Sequence, residues 1–220
     1  LALRSKGSAG STSPHQLVMT ATPIPRTLSM SIYADMDVSV IDELPPGRTP
    51  VTTTIMSDEK RDSVISRVAD ACAEGRQIYW VCTLIEESEV LQCQAAEVTE
   101  KELEKLLPDV KVGLVHGRMA PALKTDVMNQ FKSKQLDLLV ATTVIEVGVD
   151  VPNASLMVIE NSERLGLAQL HQLRGRIGRG TTDSHCVLLY HKPLGNLSKE
   201  RLEVMRQSND GFFIAERDLE

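Results

Sequence analysis

The chain has 220 residues, 42% hydrophobic and 3% aromatic, so one full core and part of a second must be built from Val, Leu, Ile, Met and Ala. No apolar run approaches the roughly 20 residues that span a bilayer, and the opening LALRSKGSAGSTSP lacks the apolar stretch of a secretory signal. The formal charge of -6 speaks against a nucleic-acid partner only on average, because Arg164, Arg174, Arg176 and Arg179 share a stretch free of carboxylates.

In chain order, a strand is predicted at QLVMTA (16–21), running into the turn TATPIPRTL. The segment ELPPGRTP (43–50) carries three prolines and a glycine and continues neither a helix nor a central strand. Residues 1–43 therefore read as the tail of one domain, and 44–50 as a linker. Residues 51–192 read as a whole α/β domain, and 193–220 as the start of a helical element.

Within the α/β domain, strands are predicted at VTTTIM (51–56), QIYWVC (77–82), VKVGLVH (110–116), LDLLVAT (136–142), SLMVIE (155–160) and HCVLLY (185–190). Several are apolar throughout, as strands buried on both faces are. The helices between them are DEKRDSVISRVADACAEG with Gly75 as its cap, EESEVLQCQAAEVTEKELEKLLP stopped by Pro108, APALKTDVMNQFKSK, and GLAQLHQLRGRIGR. This alternation specifies a parallel sheet flanked by helices. The carboxylates between Glu86 and Asp109 read as the solvated face of a helix. Cys72, Cys82, Cys93 and Cys186 form no CxxC pair. That argues against zinc or a disulfide framework and for reduced core thiols in a cytosol.

Four stretches carry chemistry. In QLRGRIGRG (172–180), Leu167, Leu170, Leu173 and Ile177 form one apolar stripe on a helical wheel. Arg176 and Arg179, three apart, project together toward a common anion, while Arg174 falls at the stripe's edge and reads as a structural ion-pair partner. Gly175 and Gly178 remove side chains that would hold a ligand away from the backbone. Arginines at a helix end also favour its dipole, which accounts for them but not for three helix-weakening glycines. The spacing GxxGxG after a helical run is not the dinucleotide fingerprint, so a nicotinamide enzyme is disfavoured.

In LLVATTVIEVGVDVPNA (138–154), a buried strand ends at Ala141, and Thr142 and Thr143 follow at its carboxyl end, where open α/β sheets place ligands. Their hydroxyls and N–H groups suit a phosphodiester. Gly148 permits close approach and Asp150 can accept from a ribose hydroxyl. An ordinary strand-loop with a capping Asp is the competing reading. LVHGRMAPALK sets His116, Gly117 and Arg118 at a strand terminus with Lys124 beyond, a set suited to phosphate contact. VMTATPIPRTL (18–28) reads either as a functional turn at Thr20 and Thr22 or as a strand end and helix start.

In order and spacing these stretches resemble the motifs of superfamily 2 helicases: TAT, QIYWVCTLIEES, VHGRM, ATTVIEVGVDVPNA and QLRGRIGR. MTATPIPRTL, IDELPPGRTPV, YWVCTLIEES and GLAQLHQLRGRIGRG are similar to the RecG family of ATP-dependent DNA translocases, from about Pro14 onward. The transcription-repair coupling factors share TATPIPRTL and GLAQLHQLRGR, but the other blocks fit RecG better. A non-catalytic RecA-like binding module and an RNA helicase are the remaining alternatives.

The resemblance implies RecA-like lobes with ATP and Mg²⁺ between them, and Arg176 and Arg179 reaching the γ-phosphate. It places Gly148, Asp150 and nearby Glu146 on the ribose side, and His116, Arg118, Lys124 and Thr142 on the DNA backbone. Thr20 and Thr22 would couple the lobes. The implied partners are branched or duplex DNA, a preceding lobe and wedge domain, and single-stranded-DNA-binding protein, in a bacterial cytoplasm without a membrane partner. No G-x-x-x-x-G-K-[ST] and no DExH box occurs in the 220 residues, so these elements are expected upstream and the chain alone is expected not to hydrolyse ATP.

Overall fold

A computed structural model describes residues 17, 39, 41, 48–83, 89–142 and 151–218. The predicted strand at 16–21, the segment 1–43 and the first part of the Pro-rich stretch lie outside the described residues, isolated positions apart. Six strands are described: β1 (Thr52–Ser57), β2 (Gln77–Val81), β3 (Val112–Val115), β4 (Leu138–Ala141), β5 (Ala154–Ile159) and β6 (His185–Tyr190). All pair in parallel, in the order β1-β6-β5-β2-β4-β3. They coincide with the six predicted after the Pro-rich stretch.

The helices are α1 (Arg61–Ala73), α2 (Glu89–Leu106), α3 (Pro121–Lys132), α4 (Leu167–Arg174), α5 (Asn196–Gln207) and α6 (Gly211–Arg217). Because side chains alternate along a strand, β2 feeds two separate cores. Ile78, Trp80 and Cys82 pack with Val64, Val68, Ala96 and Leu103 of α1 and α2. Tyr79 and Val81 point the other way, into a core shared with α3, α4, α5 and α6. The central strands β2, β4 and β5 are buried along their whole length, which explains their largely apolar sequence. On the second face, Leu202 and Met205 of α5 and Ile214 of α6 join the same core, so the segment after Tyr190 is packed onto the sheet.

Two buried or half-buried polar side chains tie elements together across the interior. Gln77 is buried, and its amide nitrogen donates to Leu136 O at 2.8 Å and to Phe131 O, tying the end of α3 to the start of β4. Arg61 at the start of α1 donates to Glu160 Oε1 at 2.7 Å and to Glu102 of α2, with its guanidinium 5.4 Å from the Trp80 ring centroid. Cys82, Cys93 and Cys186 are buried and Cys72 partly so. Burial pushes the Cys72 and Cys186 thiols up to about 12, which makes them core groups and not nucleophiles. Among the described residues no helix is long and apolar enough to cross a membrane.

Helix α1 ends as its sequence dictates. Gly75 adopts φ +79°, its N–H donates to Cys72 O at 2.8 Å, and Arg76 N–H closes on Ala71 O at 3.0 Å. Nothing lies within 4 Å of the position a Cβ would take there. Gly75→Ala is therefore expected to cost about 1 kcal/mol through backbone strain alone, and Gly75→Asn less, since Asn tolerates the left-handed region. Urea denaturation of the three proteins checks the order; equal stability of Gly and Ala forms would contradict the cap.

Candidate functional site

Leu167, Leu170, Leu173 and Ile177 all lie in one core, as the predicted stripe requires. The helix itself is shorter than predicted. It stops at Arg174, Gly175 is the C-cap with φ -64°, and Gly178 turns the chain at φ +73°. Arg176 and Arg179 consequently leave a turn and the irregular chain after it, not one helical face. Helical continuation is blocked by the glycines, whose conformational freedom lets the chain turn out of the α region.

The glycines have a packing role that the sequence did not disclose. A Cβ at Gly178 would sit 2.9 Å from Val51 Cγ2 and 3.6 Å from Thr49 O, and one at Gly180 would sit 2.5 Å from Pro152 O. The turn is pressed against the chain entering β1 and the loop entering β5. Gly178 is thus explained by close chain crossing, and Gly175, whose Cβ would meet only helix carbonyls at 3.4 Å, by the cap.

Arg174 is 3% exposed. Its Nη1 donates to Met205 O at 2.6 Å and to Thr53 Oγ1 at 3.2 Å, and its Nη2 lies 3.3 Å from His171 Nδ1. The role is structural, as expected, but these partners are neutral oxygens and an imidazole where an ion pair was predicted. A buried cation is tolerable here because Nη1 and Nη2 both meet acceptors. A guanidinium only donates, so His171 accepts at Nδ1 and its proton sits on Nε2. Burial, followed by the Arg174 charge, holds His171 below the usual imidazole range, with Asp210 opposing.

Arg176 is partly exposed and Arg179 exposed, with Arg179 Nε donating to Gly175 O at 3.4 Å. Both line an open cleft of about 670 Å³ together with Arg48, His171, Arg174 and Asn209. Arg48 was not singled out by sequence, because its prolines dominated the reading of that stretch. Its Nη2 donates to Gly175 O at 3.1 Å and to Ile177 O at 3.4 Å. Four guanidiniums stand on its walls, Arg48 and Arg174 donating to protein acceptors, and this positive lining suits a polyanion such as a nucleotide phosphate tail. Among the described residues no cluster of three or more His, Cys, Asp or Glu stands ready for a metal ion.

The other predicted contacts lie elsewhere. His116 and Thr142 follow the carboxyl ends of β3 and β4, side by side, with Thr142 N–H donating to Val115 O at 3.2 Å. Both are buried, yet His116 Nδ1 and Thr142 Oγ1 have no hydrogen-bond partner. His116 Nε2 lies 3.6 Å from Glu97 Oε1. Arg118 is exposed, and Lys124 is folded back so that its ammonium donates to Gly117 O. Thr20, Thr22, Thr143, Glu146, Gly148 and Asp150 lie outside the described residues.

The sheet therefore separates two groups that sequence reading had not placed apart. The arginine turn packs at the amino ends of β1 and β5, whereas His116 and Thr142 sit at the carboxyl ends of β3 and β4. Strands of four to six residues at 3.2–3.4 Å each put these edges roughly 13–20 Å apart.

Arg174 and Arg176 separate structural from ligand-directed roles. Arg174→Ala strands two buried acceptors and opens a cavity between α4, β1 and α5, so a loss of about 2–4 kcal/mol is expected. Arg176→Ala is expected to change stability by less than about 0.5 kcal/mol. Chemical denaturation of both variants checks this, and similar losses would contradict it.

Comparison with known proteins fits this geometry. Residues 56–181 match the family described as helicase conserved C-terminal domain. The ATP-dependent DNA helicase RecG of Pasteurella multocida strain Pm70 is 66% identical over 221 aligned residues, covering 100% of this chain and 32% of that protein. RecG of Escherichia coli K12 is 68% identical with the same coverage. A solved structure of RecG bound to a three-way DNA junction superposes with a TM-score of 0.77 at 44% identity, covering 90% of this chain and 26% of that one. The chain thus spans about a third of the length of these curated relatives. Its parallel sheet flanked by helices is the RecA-like fold of a helicase C-terminal lobe. The chain belongs to the helicase conserved C-terminal domain family.

Proposed function

We propose that the chain is the second motor lobe of an ATP-dependent DNA translocase that remodels branched DNA, such as stalled forks and Holliday junctions, in the bacterial cytoplasm. In this reading residues 1–43 end a first lobe, 44–50 join the lobes, 51–192 form the second lobe and 193–220 begin a translocation element. The observation that carries the reading is the cleft of about 670 Å³ into which Arg176 and Arg179 project. Similarity along the whole chain to proteins named RecG supports the DNA side of it.

ATP would occupy the arginine edge, with its phosphate loop and Mg²⁺ ligands supplied by the preceding lobe. Mg²⁺, when bound, would neutralise phosphate charge. Arg176 and Arg179 would donate to the γ-phosphate oxygens as charge shifts in the transition state. Such fingers contribute about 10³ to 10⁵ in rate, or roughly 4–7 kcal/mol. Gly148, Asp150 and Glu146 would approach the ribose, and Thr20 and Thr22 would couple the lobes.

DNA would run along the opposite edge. There His116 Nδ1 and Thr142 Oγ1, buried without partners, offer polar groups to a phosphodiester, and Arg118 and Gly117 N–H extend the contact. Lys124 would exchange the Gly117 carbonyl for a phosphate, and Thr143 would add a further contact. The wedge domain and single-stranded-DNA-binding protein are the partners this assignment implies.

In the full-length enzyme, Arg176→Ala is expected to lower DNA-stimulated ATP turnover by about 10³-fold or more while leaving DNA affinity within roughly two-fold. Steady-state ATPase and fluorescence anisotropy with a labelled junction measure the two. Loss of both together contradicts the finger role. The 220-residue chain alone is expected to show no DNA-stimulated ATPase, and measurable turnover by it would contradict the division of the site between lobes.

A further inference from the structure

We infer that Arg48 is a positioning residue for the arginine turn, fixing Arg176 by holding the backbone on both sides of it and linking its aim to the chain that enters β1. The inference rests on the nucleotide reading of the cleft. Arg48 Nη2 donates to Gly175 O at 3.1 Å and Ile177 O at 3.4 Å, the carbonyls that bracket Arg176. A helix C-terminus leaves its last carbonyls without intrahelical donors, and a side-chain cation there satisfies them and meets the negative end of the dipole. Gly175 O also accepts from Arg179 Nε at 3.4 Å.

The contact is stiff. A Cβ on Gly178 of the turn would sit 2.9 Å from Val51 Cγ2, with Thr49 O at 3.6 Å, and Thr52 N–H donates to Ser184 O at 2.9 Å just beyond. Residues 48–52 and the turn 175–180 are consequently one packed unit. Any displacement of the chain at Arg48 is carried to the Arg176 backbone. Arg48 sits in the segment that would join the two lobes, so lobe rotation reaches the fingers through it. Its Nη2 is engaged by two backbone carbonyls of the turn, which gives it the geometry of a positioning group. Lysine offers a single ammonium in place of a planar fork and reproduces the hold only in part.

The test uses the full-length enzyme with Arg48→Ala, Arg48→Lys, Arg176→Ala and the double Arg48→Ala/Arg176→Ala variant. The readouts are kcat and KM for ATP at saturating junction DNA, junction affinity and thermal unfolding. Arg48→Ala is expected to lower kcat by roughly 10- to 100-fold, the scale of a misplaced group, with KM and DNA affinity within about three-fold. Arg48→Lys should recover part of the loss. The double variant should be no slower than Arg176→Ala alone, because Arg48 acts through Arg176.

Unchanged kcat in Arg48→Ala, or a multiplicative loss in the double variant, overturns the inference while leaving the finger reading intact. Full turnover by Arg176→Ala overturns both. Should Arg48→Ala fail to fold, Arg48→Lys decides: reduced kcat at unchanged KM supports the inference, and wild-type kcat overturns it.

Discussion

The arginine turn holds its shape because three chain segments meet there with no space for a side chain between them. Gly178 lies against Thr49 and Val51, Gly180 against Pro152 O, and the turn carbonyls of Gly175 and Ile177 accept from Arg48. Close backbone approach excludes alternatives more effectively than any single hydrogen bond, since a Cβ at Gly180 would overlap another residue's carbonyl oxygen. Arg174 adds a second anchor beneath the turn, joining α4 to β1 and to the end of α5. The exposed arginines therefore rise from a base whose geometry is fixed before any ligand arrives, the condition for electrostatic preorganisation.

Much of this was readable from sequence. The six strands from Val51 onward follow from apolar runs of strand length, and Gly75 marked the end of α1 because glycine alone takes a left-handed cap without strain. The stripe of Leu167, Leu170, Leu173 and Ile177 gave the buried side of α4. The helix end escaped a wheel-based reading because Ile177 continues the apolar pattern after the helix has stopped. Periodicity reports which residues are buried, and a turn can bury a residue in the same phase.

Other features were illegible for a different reason. Arg48 and Gly175 are far apart in sequence, and nothing local to ELPPGRTP announces a contact with the end of α4. The neutral partners of Arg174 could not be guessed either, since a backbone carbonyl such as Met205 O leaves no mark on residue type. The placement of the arginine turn and of His116 and Thr142 on opposite edges depends on the direction in which α4 returns along the sheet. Sequence order alone does not distinguish a shared edge from a divided one.

The division suggests a mechanical logic for the proposed motor: nucleotide chemistry on one edge, a DNA track on the other, and a rigid parallel sheet between. The claim at its centre is that the turn's guanidiniums complete a phosphate site. The most direct measurement is a structure of the full-length enzyme with a γ-phosphate transition-state analogue and junction DNA. The account predicts an Arg176 guanidinium nitrogen about 3 Å from the analogue's oxygens, with DNA phosphates at the carboxyl ends of β3 and β4. Arg176 on DNA, or turned from the analogue while the lobes are closed, would contradict it.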